Sequence, residues 1–341
     1  MTASFTSVAG VSRRRALATL TGSVALAGAP AFLRTVNAQG LTKVSLQNGW
    51  LAQAEQGGAY QALASGLYRE AGLDVEIRPG GPQVNTVQLF LGGTSDFVEA
   101  DSFRAFAFAK DKLPAVAVAA FFQKDPRVLL SHAGTGNDTL ESLKGKPLLV
   151  ATAGRQTYWL WLKARFGFTD DQLKPYAFNI QPWLVDKQVS MQGYVTSEPF
   201  AARKAGVDPV VHLLADKGYD CYQGVYVTSP KMVAEKSEVV QRFVDATARG
   251  WASYLRDPAA GNALIRRDNP AMGEDLLAYA VDTMRKSALI ETAETRAGGI
   301  GTMSHERWKR FYDAMVAAGA QPPGVDIQSA YTLQFVNRKK A

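Results

Sequence analysis

The sequence predicts an α/β protein of two similar lobes, each a β-sheet covered by helices. Three observations carry that prediction. Strand-like and helix-like segments alternate over residues 43–122. The same layout returns over 146–214 without obvious sequence identity. From Pro230 onward the pattern is mostly helical. No low-complexity linker separates the two series, so the chain is expected to cross between lobes directly, at 121–128 and again near 222–229. Short crossings of this kind act as hinge strands and permit bending without a tether. The domain boundaries that follow are 41–123 plus 228–341 for the first lobe and 124–227 for the second.

The elements are justified in chain order. Residues 43–48 alternate, with Val44 and Leu46 on one face, and read as a strand. Ala59, Ala62, Leu63, Gly66 and Leu67 fall at helical spacing in a helix over 59–71 that Gly72 ends. Leu73, Val75 and Ile77 alternate with Asp74, Glu76 and Arg78 in a second strand. After the loop Gly80-Gly81-Pro82, a short helix over 84–91 precedes a strand at 97–100 and a helix at 102–110. The apolar run 115–122 suits a buried strand. The second series reads as strands at 146–151, 176–180, 194–196 and 210–214, with helices at 156–166, 184–189 and 199–205 between them. Beyond Pro230, three apolar stripes mark core-facing helices: Val239, Phe243, Ala246 and Trp251; Leu276, Leu277, Ala280 and Met284; Trp308, Phe311, Tyr312 and Met315.

Composition narrows the class. The 341 residues are 47% hydrophobic and 20% charged, which excludes a disordered or collagen-like chain. A single cysteine, Cys221, excludes an intrachain disulfide and any cysteine-built metal cage. The formal charge of +7 suggests a nucleic-acid partner at first sight. Arg13, Arg14, Arg15 and Arg34 account for four of those charges, however, and residues 1–38 contain no acid. The remaining charges are interspersed, so no nucleic-acid partner is expected. Ser12 with Arg13, Arg14 and Arg15, a mildly apolar stretch and the small residues Val36-Asn37-Ala38 resemble a twin-arginine export signal over 1–38, cleaved near Ala38. The expected location is therefore the periplasm.

The usual catalytic signatures are missing. His132, His212 and His305 have no metal-ligand spacing, no Gly-x-Ser-x-Gly elbow is present, and Gly145-Lys146 lacks the rest of a phosphate-binding loop. Neither a catalytic residue nor a cofactor nor a metal is expected.

Candidate binding residues come from a general rule: in open α/β sheets, ligands bind at the carboxyl ends of the strands. The first strand leads into Asn48, Gly49 and Trp50, then Glu55, Gly57, Gly58 and Tyr60. Trp50 offers a face for stacking, and the two glycines precede a helix whose free amides could meet a ligand acceptor. The second strand leads to Gly81, and the third to Asp101, which equally suits a helix cap. In the second series the strand ends lead to Arg155, Gln156 and Tyr158, to Trp183, and to Glu198, for which capping is again the alternative. Arg155 at a predicted helix start calls for an anionic partner. Tyr222 lies near the second crossing. Together these loops suit a planar, nitrogen-rich or carboxylate-bearing small molecule.

Trp50, Gly57-Gly58, Gly66-Leu67-Tyr68, Gly72-Leu73-Asp74-Val75 and Gly92-Gly93 with Asp96-Phe97 resemble the N-terminal lobe of periplasmic solute-binding proteins of the nitrate/sulfonate/taurine and thiamine-pyrimidine group, the NMT1/THI5-like family. Leu143-Lys144-Gly145-Lys146 and Glu198-Pro199 resemble segments of its second lobe. The resemblance implies a type II periplasmic binding fold that closes on one solute and docks, as a monomer, on the permease of an ABC transporter. It places Trp50, Asp101, Arg155 and Glu198 in ligand-facing loops, and Gly80-Gly81-Pro82 looks closest to members handling thiamine-precursor pyrimidines. The expected solute is thus a small aromatic heterocycle, with an alkanesulfonate, taurine or nitrate as the alternative. Relatives that make the thiamine pyrimidine carry a cysteine-rich motif, and this chain, with Cys221 alone, departs from it.

Overall fold

Each of the two lobes is organised on a five-stranded mixed sheet, seen in the computed structural model, which describes residues 40–338. The expected export signal and its cleavage point lie outside the described residues. In chain order the elements are β1 (Thr42–Gln47), α1 (Gly57–Ala64), α2 (Leu67–Glu70), β2 (Leu73–Arg78), α3 (Thr86–Leu91), β3 (Phe97–Asp101), α4 (Ser102–Lys110) and β4 (Val116–Phe122). The second series comprises β5 (Arg127–His132), β6 (Leu148–Val150), α5 (Thr152–Arg155), α6 (Tyr158–Phe166), β7 (Leu173–Pro175), α7 (Gln181–Val185), β8 (Ser190–Tyr194), α8 (Glu198–Lys204) and β9 (Pro209–Leu213). The chain then forms β10 (Gln223–Thr228), α9 (Pro230–Glu235), α10 (Ser237–Tyr254), α11 (Ala259–Asp268), α12 (Glu274–Lys286), α13 (Ala293–Gly298) and α14 (His305–Ala317).

The strand orders are β2-β1-β3-β10-β4 and β7-β6-β8-β5-β9. In the first sheet β1 is parallel to β2 and β3, and β10 runs antiparallel between β3 and β4. In the second, β6 is parallel to β7 and β8, and β5 runs antiparallel between β8 and β9. Each sheet therefore receives its antiparallel strand as the chain arrives from the other series. This exchange is the topology of the type II periplasmic binding fold. The crossing expected at 222–229 lies earlier, because Gln223–Thr228 is itself a strand of the first sheet. Likewise Arg127–His132 is a full strand of the second sheet.

Several elements depart from the sequence reading. The helix expected over 59–71 is two helices, split where Gly66 adopts a positive φ of 73° that a side chain would resist. The strand expected at 176–180 is a loop, and the strand lies just before it at Leu173–Pro175. The next helix is Gln181–Val185 rather than 184–189, since Pro182 suits a first turn. The strand expected at 194–196 is Ser190–Tyr194, whose Met191 and Gly193 face the core. The three stripes beyond Pro230 are core as expected, with only Leu276 partly exposed. Closest packing occurs where α1 crosses α10: a Cβ on Gly58 would come within 2.3 Å of the Trp251 ring, and one on Gly250 within 2.1 Å of the Gly58 carbonyl. Glycine at both positions is what lets the two helices touch through their backbones.

Candidate functional site

Parallel strands end together, so the loops after β1 and β3 share one edge of the first sheet, and those after β6 and β8 share one edge of the second. These two edges meet. Trp50, the third residue of the loop after β1, lies 5.0 Å ring to ring from Phe178 of the second lobe. The Thr196 hydroxyl, beyond β8, donates to the Glu55 carboxylate. Arg127, at the start of β5, reaches Asp101 at the end of β3, Nη2 to Oδ2, over 3.3 Å. The Gln223 amide at the start of β10 donates to the Tyr194 hydroxyl at 3.1 Å. Four contacts between strand ends thus define a cleft between the lobes and its floor.

Lobe-one residues of the cleft are buried and polar. One step beyond the Gln47–Val98 register pair, Asn48 stands beside Glu99 on the same sheet face. Asn48 is 0% exposed, and neither its Oδ1 nor its Nδ2 has a hydrogen-bond partner among the described residues. Glu99 accepts from the Gly49 N–H at 2.9 Å and from the Gln56 amide at 3.2 and 3.3 Å. Burial nevertheless pushes its carboxyl up to about 7, and Glu55 nearby adds to the rise. Burial also raises Glu55, opposed by its Thr196 bond and reinforced by the charge of Glu198.

The second lobe supplies an aromatic-flanked cation. Arg127 pairs with the fully buried Asp125 at 2.6 Å and lies over the rings of Tyr158 and Tyr194, 5.7 and 6.0 Å from their centroids. Burial opposes its charge, but Asp125 and the neighbouring phenols and carboxylates hold it well above the ordinary guanidinium range. The Gln192 side-chain Oε1 accepts from the Tyr158 hydroxyl at 2.6 Å and from the Ala151 N–H at 2.7 Å, which orients both at the end of β6. Glu198 accepts from the Tyr194 N–H at 2.7 Å and from the Tyr176 hydroxyl at 3.4 Å. The Arg155 Nε is buried without a partner among the described residues.

Asn48, Trp50, Glu55, Asp101, Tyr158 and Glu198 therefore gather at the cleft edges, while Arg155 ends the short helix after β6 rather than beginning one. Asp101 also caps α4, accepting from the Arg104 N–H at 2.8 Å, so its capping reading holds. Gln156 is exposed. Gly81 backs onto Leu51, and it is Gly80 whose Cβ would strike the Asn48 carbonyl, at 2.5 Å. Four expectations are corrected. Gly58 serves the α1–α10 crossing. Tyr60 is core, its hydroxyl donating to Asp268 at 3.1 Å. Trp183 stacks on His132 at 4.1 Å. His132 ends β5, whose first residue is at the cleft, so five strand steps of about 3.3 Å put Trp183 roughly 17 Å from it. The Tyr222 ring lies under Arg307 at 4.1 Å and near Trp308, on the α14 side. Glu99, Arg127, Thr196 and Phe178 were not foreseen. For Arg127 a signal existed: an arginine opening the apolar run Val128-Leu129-Leu130.

Two surface depressions, about 230 and 320 Å³, lie elsewhere; both include Asp96, which precedes β3 and so sits at the sheet end opposite the cleft. Among the described residues no group of three or more histidine, cysteine or acidic side chains is placed to hold a metal.

Comparison with known proteins agrees with this architecture. The chain is 24% identical over 319 residues to the riboflavin-binding protein RibY of Chloroflexus aurantiacus, covering 91% of each. Its fold is similar to that of the periplasmic aliphatic sulphonate binding protein SsuA of Escherichia coli, with TM-score 0.63, 14% identity and 84% and 91% of the two chains covered. It is also similar to the desulfurization enzyme DSZB, with TM-score 0.55, 14% identity and 86% and 97% covered, so the fold serves binding proteins and an enzyme alike. The NMT1/THI5-like family model matches residues 53–261, and the chain belongs to that family.

Proposed function

We propose that this chain is an exported, periplasmic solute-binding protein of an ABC importer, closing its two lobes over a planar heterocycle and delivering it to a permease. The observation that carries the ligand class is Asn48. A buried carboxamide with donor and acceptor both unused is suited to a ligand edge that offers an acceptor beside a donor, as an aminopyrimidine or the pyrimidine edge of a flavin does. Trp50 supplies the ring face, and Glu99 and Glu198 accept from exocyclic N–H groups. A ligand touching both lobes favours the closed arrangement by its differential contacts. The riboflavin-binding relative supports a heterocycle of this kind.

Arg155 favours a second reading, an alkanesulfonate, taurine or nitrate, because its buried Nε lacks a partner. The Glu198 carboxylate stands against it, since it would repel an anion. Thiol chemistry of an enzyme is disfavoured by Cys221, whose thiol burial pushes well above its ordinary range.

A thermal-shift screen against aminopyrimidines, flavins, sulfonates, nitrate and amino acids tests the proposal. A true ligand raises the melting temperature by mass action. A rise with a heterocycle is expected, and a rise confined to sulfonates or nitrate overturns the ligand class.

A further inference from the structure

Beside the cleft, a second set of contacts joins the lobes through a residue not assigned to the ligand. The Tyr279 hydroxyl on α12 donates to the Val195 carbonyl at 3.1 Å and accepts from Arg203 Nη1 at 3.3 Å. Its ring lies 5.3 Å from that of Phe200 on α8. One turn earlier on α12, Asp275 pairs with Lys204 at 2.7 Å. Val195 belongs to the turn that leads into α8. In that turn the Tyr194 N–H donates to Glu198, the Ser197 N–H returns to the Tyr194 carbonyl at 3.0 Å, and Thr196 donates to Glu55. The Val195 N–H donates to the Pro126 carbonyl at 2.9 Å, which ties the turn to the first crossing.

We propose that Tyr279 is a positioning residue for ligand capture: it latches the 194–198 turn to the first lobe and so sets the fraction of closed molecules without touching the solute. The binding groups of that turn, Glu198 and Thr196, are useful only when the turn meets the first lobe. Tyr279 grips its backbone at Val195, where the hold is independent of ligand chemistry. Affinity then scales with the closed fraction, since a competent state that is partly populated lowers the apparent affinity in proportion. That consequence for affinity rests on the solute-binding reading; the latch itself does not.

The test reads lobe separation directly. Spin labels at Val84→Cys and Val185→Cys, 37% and 84% exposed on the two lobes, report it by pulsed dipolar spectroscopy on the full chain, with Cys221 buried and unlabelled. Tyr279→Phe keeps the ring and removes one hydroxyl, so it is expected to lower the closed-to-open ratio about two- to tenfold. Lys204→Glu acts in the same direction by up to about fivefold, and adding Asp275→Lys restores the parent distribution. Distances unchanged by Tyr279→Phe, or a Lys204→Glu shift that the second substitution does not reverse, overturn the latch. With riboflavin as probe, Kd is expected to rise by the factor by which the closed fraction falls. If riboflavin and the aminopyrimidines bind neither parent nor variant, the ligand assignment fails while the distance measurement still decides the latch.

Discussion

Raising the pH from 4.5 to 8 removes a proton from Glu99 that the folded chain is built to keep. Burial lifts its carboxyl to about 7, against 4.5 for an ordinary glutamate, despite the Gly49 N–H and the Gln56 amide. Because the native state holds the proton over that interval and the unfolded chain does not, the associated stability is complete below about pH 4.5. It declines as pH rises through 7 and then levels off. The gap of roughly 2.5 pH units, at about 1.4 kcal/mol each, amounts to about 3 kcal/mol. Glu55 and Asp125, also raised mainly by burial, slope the same way, so the wild-type curve alone does not isolate Glu99. Glu99→Gln does: its carbonyl can still accept from Gly49, and it does not ionise. Urea unfolding of both proteins from pH 4.5 to 8 is expected to show the variant gaining about 3 kcal/mol on wild type across the interval. Parallel curves would refute the assignment of a proton to the buried carboxyl.

Other substitutions separate packing from binding. Asn48→Leu, which keeps the branch at Cγ, removes two unsatisfied buried polar atoms and is expected to stabilise the ligand-free chain by about 1–3 kcal/mol while weakening heterocycle binding. A loss of stability in denaturant, or unchanged affinity by calorimetry, contradicts that role. Gly58→Ala drives a methyl to 2.3 Å from Trp251, so a destabilisation of about 1–3 kcal/mol should outweigh the helix gain of about 1 kcal/mol. An equal or higher melting temperature without ligand would show that the helices part freely. Trp50→Ala should weaken binding at least about tenfold, on the order of 1.4 kcal/mol, with the fold intact. An affinity matching wild type in a calorimeter removes stacking from the mechanism.

Local pattern reveals strands whose neighbours come from the same series. Val44, Leu46, Leu73 and Val75 alternate because one side of β1 and β2 meets helices and the other meets water. β5 and β10 are different. Val128-Leu129-Leu130 and Val225-Tyr226-Val227 are buried on both faces, without alternation; β10 lies in a sheet built by the distant β1–β4, and β5 joins the sheet of the residues that follow it, just past the crossing. Nothing local to them announces that exchange, so they read as bare crossings. The same limit governs the site. The rule of strand ends finds Asn48, Trp50, Asp101 and Glu198, because position along a strand is legible. It also gathers Tyr60, Trp183 and Tyr222, because a helix or loop following a strand end has a face toward the cleft and a face toward the core. An aromatic residue suits both. Only packing decides, and for these three it selects Asp268, His132 and Arg307 as partners.

The exchange of strands also explains why the cleft floor is polar. An antiparallel strand begins where its parallel neighbours end, so the first residues of β5 and β10 emerge at the cleft. In the second sheet Arg127 stands opposite Tyr194, and in the first Gln223 stands opposite Asp101. The contacts between lobes use the same four residues crosswise: Arg127 reaches Asp101, and Gln223 reaches Tyr194. Two sheet registers and two lobe contacts close a ring at the hinge. Rotation of one lobe must strain both contacts together, because each partner is fixed to the other by a ladder of backbone hydrogen bonds. On the proposed solute-binding function, opening is expected to be concerted rather than piecemeal, with a perturbation at Arg127 felt at Gln223 although no bond joins the two.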